Sequence, residues 1–379
     1  MRKLLCLLSL VGCWYSSDRL YAQSFTPGNI VVVRIGDGSN PMDGSTRPVS
    51  LLEINPITGS VVTTTNLPSA SSTNLTLQGT QVFGDGFLTL SPDSSTLSLM
   101  GHNAAAGSDG SLTTSYTIAQ VNAARMVDVS TTTTSVAGIV PNGSVVTSNR
   151  VYAAFGAPTG PGLGTTTTGS NAALTGLDAT KTYLNPQVVN SQLYAIQGLN
   201  TIVRTTPALP TSSAGLTFSA LSSTVNPNAF ATGYLLLDRD ASVAGVDTLY
   251  IVSDQGLDKF SFDGTNWTSR GTVAGAFFGI TGIVNGNSAD IFLTTGDGSL
   301  ANNQMQSLVD SSAFNANISG SPVDLGSAAG ADFTFGGIAF APTAVPEPST
   351  WAMIGTANAV TIAWYLRNRN RKTKTQRRR

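Results

Sequence analysis

The stretch Gly86-Phe87-Leu88-Thr89-Leu90, Ser91-Pro92-Asp93-Ser94-Ser95, Thr96-Leu97-Ser98-Leu99-Met100 decides the fold class. Leucine alternates with threonine or serine on both arms, the period-2 pattern of a strand with one buried face. Between the arms, proline and aspartate stand where a tight turn uses a fixed φ and a carboxylate that caps its own backbone. The unit reads as strand, turn, strand. Similar short runs recur at residues 29–35, 49–54, 151–155, 193–196, 249–252 and 291–294, between Gly, Asn, Asp and Pro. Serine and threonine make up 90 of 379 residues, while Glu and Lys, which populate solvated helix faces, are scarce. An all-β domain follows.

The spacing of the hairpins gives the architecture. Candidate first strands centre near Leu88, Val146, Val188, Leu235, Gly282 and Ile338, at intervals of 58, 42, 47, 47 and 56 residues. A period of that length, filled by about four short strands, suits a β-propeller blade. Six units fit. The last, residues 335–340, leaves no room for three partners before the C-terminal tail, whereas strands near residues 30, 51 and 62 precede the first full unit. The N-terminal strands are therefore expected to complete the last blade and close the ring without a long exposed edge. A seven-bladed ring or a pair of β-sandwiches are the alternatives, since insertions blur the period.

Both ends of the chain carry transport signals. Arg2 and Lys3 precede the apolar run 4–11, and Ala22 stands before Gln23, the pattern of a secretory signal peptide over residues 1–22. An alternative is a lipoprotein signal, Leu10-Val11-Gly12-Cys13, in which Cys13 is acylated. Cys6 and Cys13 are the only cysteines, so the chain beyond Ala22 has no disulfide, thiolate metal site or cysteine nucleophile. An ectodomain over residues 23–342 is large enough to hold its core by packing alone. Residues 343–379 then run through Val345-Pro346-Glu347-Pro348-Ser349-Thr350, a mostly apolar segment 351–366, and a cluster that begins Arg367, Arg369, Arg371, Lys372. The prolines keep the first part extended. The apolar part can enter a membrane, although sixteen residues are few for a span. The cations stop transfer and stay on the cytoplasmic side. An uncleaved tail anchor is the alternative reading.

This three-part tail resembles the PEP-CTERM sorting signal of Gram-negative bacteria, with Pro346, Glu347 and Pro348 as the motif. The resemblance implies recognition by an exosortase, transient anchoring by a single transmembrane helix, and delivery to the cell surface or extracellular matrix. Residues 29–38, 86–93 and 337–342 also resemble a group of bacterial surface proteins with the same tail and a predicted propeller. That likeness implies an architecture and no activity.

Between residues 24 and 345, nine Lys and Arg face nineteen Asp and Glu, a net charge of −10. Nucleic-acid binding is excluded for want of clustered cations. The only histidine, His102, reads as a solvent-exposed loop residue, and no nucleophile-elbow motif accompanies it. No catalytic residue is assigned. An enzyme reading, a propeller-type carbohydrate-active protein, would have to draw on Asp85, Asp238, Asp240, Asp254 and Asp258, because Glu53 is the only glutamate outside the tail. No cofactor is expected. Asp-Gly pairs at Asp37, Asp43, Asp85, Asp109, Asp263 and Asp297 leave a structural calcium ion open, but lack the ligand spacing of a calcium loop and read as turns with glycine at positive φ. The favoured expectation is a noncatalytic surface or matrix protein that contacts extracellular polysaccharide.

Overall fold

A computed structural model describes residues 24–79, 85–135, 137–156, 160–296 and 303–344. Within them the short apolar runs become strands, and these gather into six antiparallel four-stranded sheets, the blades of a propeller. Blade 1 holds Leu88–Leu90, Thr96–His102, Ser115–Asn122 and Val127–Thr134. Blade 2 holds Pro141–Val146, Arg150–Phe155, Leu163–Thr167 and Thr175–Asp178. Tyr183–Val189, Gln192–Gln197, Thr201–Thr206 and Thr217–Ser223 form blade 3. Ala231–Leu237, Thr248–Ser253, Gly256–Phe262 and Trp267–Ala274 form blade 4. Blade 5 comprises Phe277–Asn285, Ser288–Thr295, Gln304–Asp310 and Val323–Ala328.

Blade 6 is built from both ends of the described chain. Its innermost strand is Thr334–Phe340, and Ile30–Ile35, Val49–Ile54 and Val61–Asn66 follow outward. Ile30 pairs with Phe340 and Val32 with Ile338. The six blades and the N-terminal closure thus match the sequence expectation.

The hairpin over residues 86–100 forms in the expected register, with Leu88 opposite Leu99 and Leu90 opposite Leu97. In its turn the Ser91 N–H donates to the Thr96 carbonyl at 2.8 Å, and Asp93 Oδ1 accepts from the Ser91 hydroxyl at 2.6 Å. Burial falls off outward along each blade. Second strands such as Arg150–Phe155 and Thr248–Ser253 are almost wholly buried, because neighbouring blades cover both faces. Outermost strands such as Val61–Asn66 and Thr217–Ser223 are exposed or half-buried. Apolar clusters fill the spaces between blades: Val31, Val33 and Leu51 meet Leu97, Leu99 and Val121 between blades 6 and 1. Tyr250, Val252 and Leu257 meet Ile291, Leu293 and Leu308 between blades 4 and 5.

Hydrogen bonds link every blade to the next near the axis. The Thr89 hydroxyl donates to Ser144 O at 2.6 Å, Asn142 Nδ2 to Tyr183 O at 2.9 Å, and Gln187 Nε2 to Tyr234 O at 3.1 Å. The Thr232 hydroxyl donates to Phe277 O and that of Thr294 to Gly336 O, both at 2.8 Å. The Gly337 N–H closes the circuit on Gly86 O at 2.7 Å. Five inner strands also carry a one-residue register shift at the equivalent place, near residues 142, 185, 232, 278 and 336. Such bulges turn carbonyls and side chains out of their own ladder, so that the adjacent blade can use them.

Candidate functional site

At the entry ends of the inner strands the axis is filled. Phe87, 2% exposed, stacks on Phe278 of blade 5 with ring centroids 5.2 Å apart, and belongs to one buried cluster with Leu184 of blade 3 and Tyr234 of blade 4. A β-carbon on Gly143 of blade 2 would lie 3.0 Å from the Phe87 β-carbon, and one on Gly337 of blade 6 would lie 2.3 Å from the Leu88 nitrogen. Aromatic rings and glycine backbone therefore occupy the place where a central funnel would need space.

The five aspartates considered for catalysis do not converge. Asp238 and Asp240 follow the first strand of blade 4, and Asp254 follows the second, so they lie at opposite ends of that blade. Asp240 caps the Ser242 N–H, Asp254 accepts from the Phe230 N–H, and Asp258 accepts from the Val225 N–H and the Thr272 hydroxyl. Asp85 is buried in front of blade 1 and accepts from the Gln78 N–H at 2.8 Å. Glu53 is also structural, holding the chain entry through the Thr26 N–H at 2.8 Å and Asn29 Nδ2 at 2.7 Å.

His102 corrects the sequence reading. It ends the strand Thr96–His102 with 1% exposure, because residues 76 and 77 cover the strand end and Thr76 exchanges backbone hydrogen bonds with it. Its Nε2 lies 3.7 Å from Asp85 Oδ2 and its ring 5.5 Å from that of Tyr116. The sequence hid this because the covering segment arrives from a connection outside the hairpin.

A second buried group, unforeseen in the sequence, joins blades 4 and 5. Asp310 Oδ2 accepts from Lys259 Nζ at 2.8 Å, Arg239 Nη1 at 3.1 Å and the Tyr250 hydroxyl at 2.6 Å. Its Oδ1 accepts from the Ser312 hydroxyl at 2.6 Å. Burial alone would raise the Asp310 carboxyl, but the bonds from Lys259, Ser312 and Tyr250 hold it well below the ordinary carboxylate range. Burial lowers the Lys259 ammonium, because one carboxylate serves two cations and restores only part of the lost hydration. With no free oxygen facing solvent, the group is a clamp between blades.

The Asp-Gly aspartates mostly cap their own turns. Asp37 accepts from the N–H groups of Ser39 and Asn40, Asp43 from Ser45, Asp109 from Ser111, and Asp263 from Thr265 and Asn266. Glycine at positive φ accounts for Gly38, Gly86 and Gly264, but Gly44 and Gly110 lie outside that region, so there the carboxylate cap makes the turn. Among the described residues no group of three or more His, Cys, Asp or Glu could hold a metal ion. Asp297, the sorting residues Pro346, Glu347 and Pro348, the basic residues Arg367, Arg369, Arg371 and Lys372, and the signal over 1–22 all lie outside the described residues. No described helix is long and apolar enough to cross a membrane.

One cleft combines aromatic and polar side chains. It lies between blades 3 and 4, has a cavity volume of about 310 Å³, and is lined by Asn190, Gln192, Tyr194, Arg204, Phe262 and Trp267 among others. Tyr194 and Arg204 face each other across adjacent strands, and Phe262 and Trp267 across a hairpin, their rings 5.2 Å apart. Burial raises the Tyr194 hydroxyl above its ordinary pKa while Arg204 pulls it down, so it is a neutral phenol. The sequence signal was Phe262 and Trp267 flanking the turn Asp263-Gly264-Thr265-Asn266, but the pairing with blade 3 was not legible.

No family model matches the chain, and no curated protein does. Among solved structures, a nidogen–laminin complex is similar over 82% of this chain and 98% of its own, at 11% identity and a TM-score of 0.43. A functionally unknown protein from Desulfotomaculum acetoxidans DSM 771 matches over 83% and 90%, at 12% identity and a TM-score of 0.39. AztD from Citrobacter koseri matches over 84% and 100%, at 9% identity and a TM-score of 0.36. Likeness at this level assigns no function.

Proposed function

We propose that this chain is exported and sorted to the bacterial surface or extracellular matrix, where its propeller serves as a rigid, noncatalytic component that contacts polysaccharide. The observation that carries the noncatalytic reading is the axis filled by Phe87 and Phe278. The enzyme alternative loses support because Asp238 and Asp240 stand at the opposite end of blade 4 from Asp254. Export rests on the sequence over 1–22, and sorting on Pro346-Glu347-Pro348 with the apolar and basic segments that follow.

Replacing Pro346, Glu347 and Pro348 with alanine is expected to leave an uncleaved precursor in the membrane fraction of an exosortase-producing bacterium. Fractionation and mass spectrometry of the C-terminus check this. Unchanged release of a shortened protein would overturn the sorting assignment.

A further inference from the structure

The geometry points to the cleft between blades 3 and 4 as a binding site for an acidic sugar, a hexuronate unit of a polysaccharide. This deepens the proposed function and rests on it for the presence of such a polymer around the protein. The hairpin Asn190-Ser191 and the loop at residues 244–246 flank the opening, and the turn at 263–266 lies at the same end of blade 4. Half-buried Phe262 and Trp267 supply a broad aromatic surface with rings tilted by 30°. A pyranose presents an apolar C–H face that gains by desolvation against such a surface, while its hydroxyls need separate polar partners.

Those partners are present. Tyr194 is 6% exposed, yet its hydroxyl has no hydrogen-bond partner among the described residues and it lines the cleft. Gln192 donates its amide nitrogen to the Leu193 and Thr205 carbonyls at 3.0 and 2.9 Å, which fixes the side chain and leaves Oε1 as an acceptor. Tyr194, Gln192 and the Phe262–Trp267 pair thus line one small cavity.

Arg204 selects for acid. The ectodomain has nine Lys and Arg, and eight make a hydrogen bond or ion pair through the side chain: Arg34, Arg47, Arg125, Arg150, Lys181, Arg239, Lys259 and Arg270. Arg204 is the one that has none among the described residues. It is exposed at the cleft, whose lining contains no acid. A guanidinium fork fits a carboxylate bidentately, and this match is lost on a neutral sugar. The −10 charge of the whole ectodomain opposes an anion only weakly at this site, because screening limits its reach to about 8–10 Å at physiological salt.

Full-length protein in mild detergent would be titrated calorimetrically with short oligomers of galacturonate, mannuronate and guluronate, and with neutral galactose and mannose oligomers. At least one uronate oligomer is expected to bind about tenfold more tightly than its neutral counterpart. Trp267→Ala should weaken all binding by about tenfold or more. Arg204→Gln, at an exposed position, should erase the preference for the acidic oligomer and leave residual binding. Thermal melting verifies that both variants fold. Absence of saturable binding across the panel, or equal affinities in wild type and both variants, overturns the site. Either failure would leave the sorting result untouched, and a failed sorting test would leave the sugar titration intact.

Discussion

Asp310 shows at the scale of one residue why buried charge must be counted by partners. Its two oxygens receive hydrogen bonds from Lys259 and Tyr250 of blade 4, Arg239 of the connection after that blade's first strand, and Ser312 of the turn after blade 5's third strand. Removing it strands two buried cations. Asp310→Ala is therefore expected to cost about 3–5 kcal/mol, read by urea unfolding. The pH dependence has a definite sign. The folded chain keeps Asp310 ionised to lower pH than the unfolded chain does, so its contribution is fully present above the ordinary carboxylate value near pH 4 and is lost as pH falls below it. Asp310→Asn should flatten the loss of stability below about pH 4, and an unaltered slope there would contradict the role given to this carboxyl.

Among the elements, the inner strands carry the interlocking. Each contributes to a circuit of hydrogen bonds that passes through all six blades, joined in blade 5 by Thr294 of the second strand, and five of the six inner strands carry a bulge beside it. Gly337 occupies the tightest point of this circuit, because a β-carbon there would meet the Leu88 nitrogen at 2.3 Å and Gly86 O at 2.8 Å. Backbone cannot yield as a flexible side chain can. Gly337→Val should destabilise the protein by about 3 kcal/mol or more through overpacking and the loss of the Gly337–Gly86 bond. A melting temperature within about 2 °C of wild type would show that the axis is looser than this geometry requires.

For the whole molecule, closure depends on partners about 300 residues apart in the chain, Ile30–Ile35 and Thr334–Phe340. Deleting residues 24–66 removes three of the four strands of blade 6. It also strips Phe335 and Ile338 of Ile30, Val32, Leu52 and Ile54, and Ala339 of Val31 and Val33. The remaining strand would present an unpaired edge. Aggregation, or loss of cooperative melting, is expected by light scattering and calorimetry of the truncated chain. A monomer that melts like the intact protein would mean that the ring does not depend on this seam.

The sequence by itself pointed to six units and to an N-terminal closure through the 42–58-residue recurrence of short apolar hairpins between turn residues, and the structure shows both. The hairpin over residues 86–100 needed nothing beyond its own pattern. Outer strands such as Val127–Thr134 and Thr217–Ser223 were barely legible, since they cover little of the core and tolerate threonine and serine on both faces. Tertiary structure alone decided the fate of the polar side chains. His102 became buried because Thr76 and Leu77 cover its strand, Asp310 became a clamp because Lys259 and Arg239 reach it from the preceding blade, and Arg204 and Trp267 came to line one cleft only where two blades meet. Periodicity reports which face of a strand is buried, whereas these contacts depend on how separate strands are juxtaposed, and no local pattern encodes that distance.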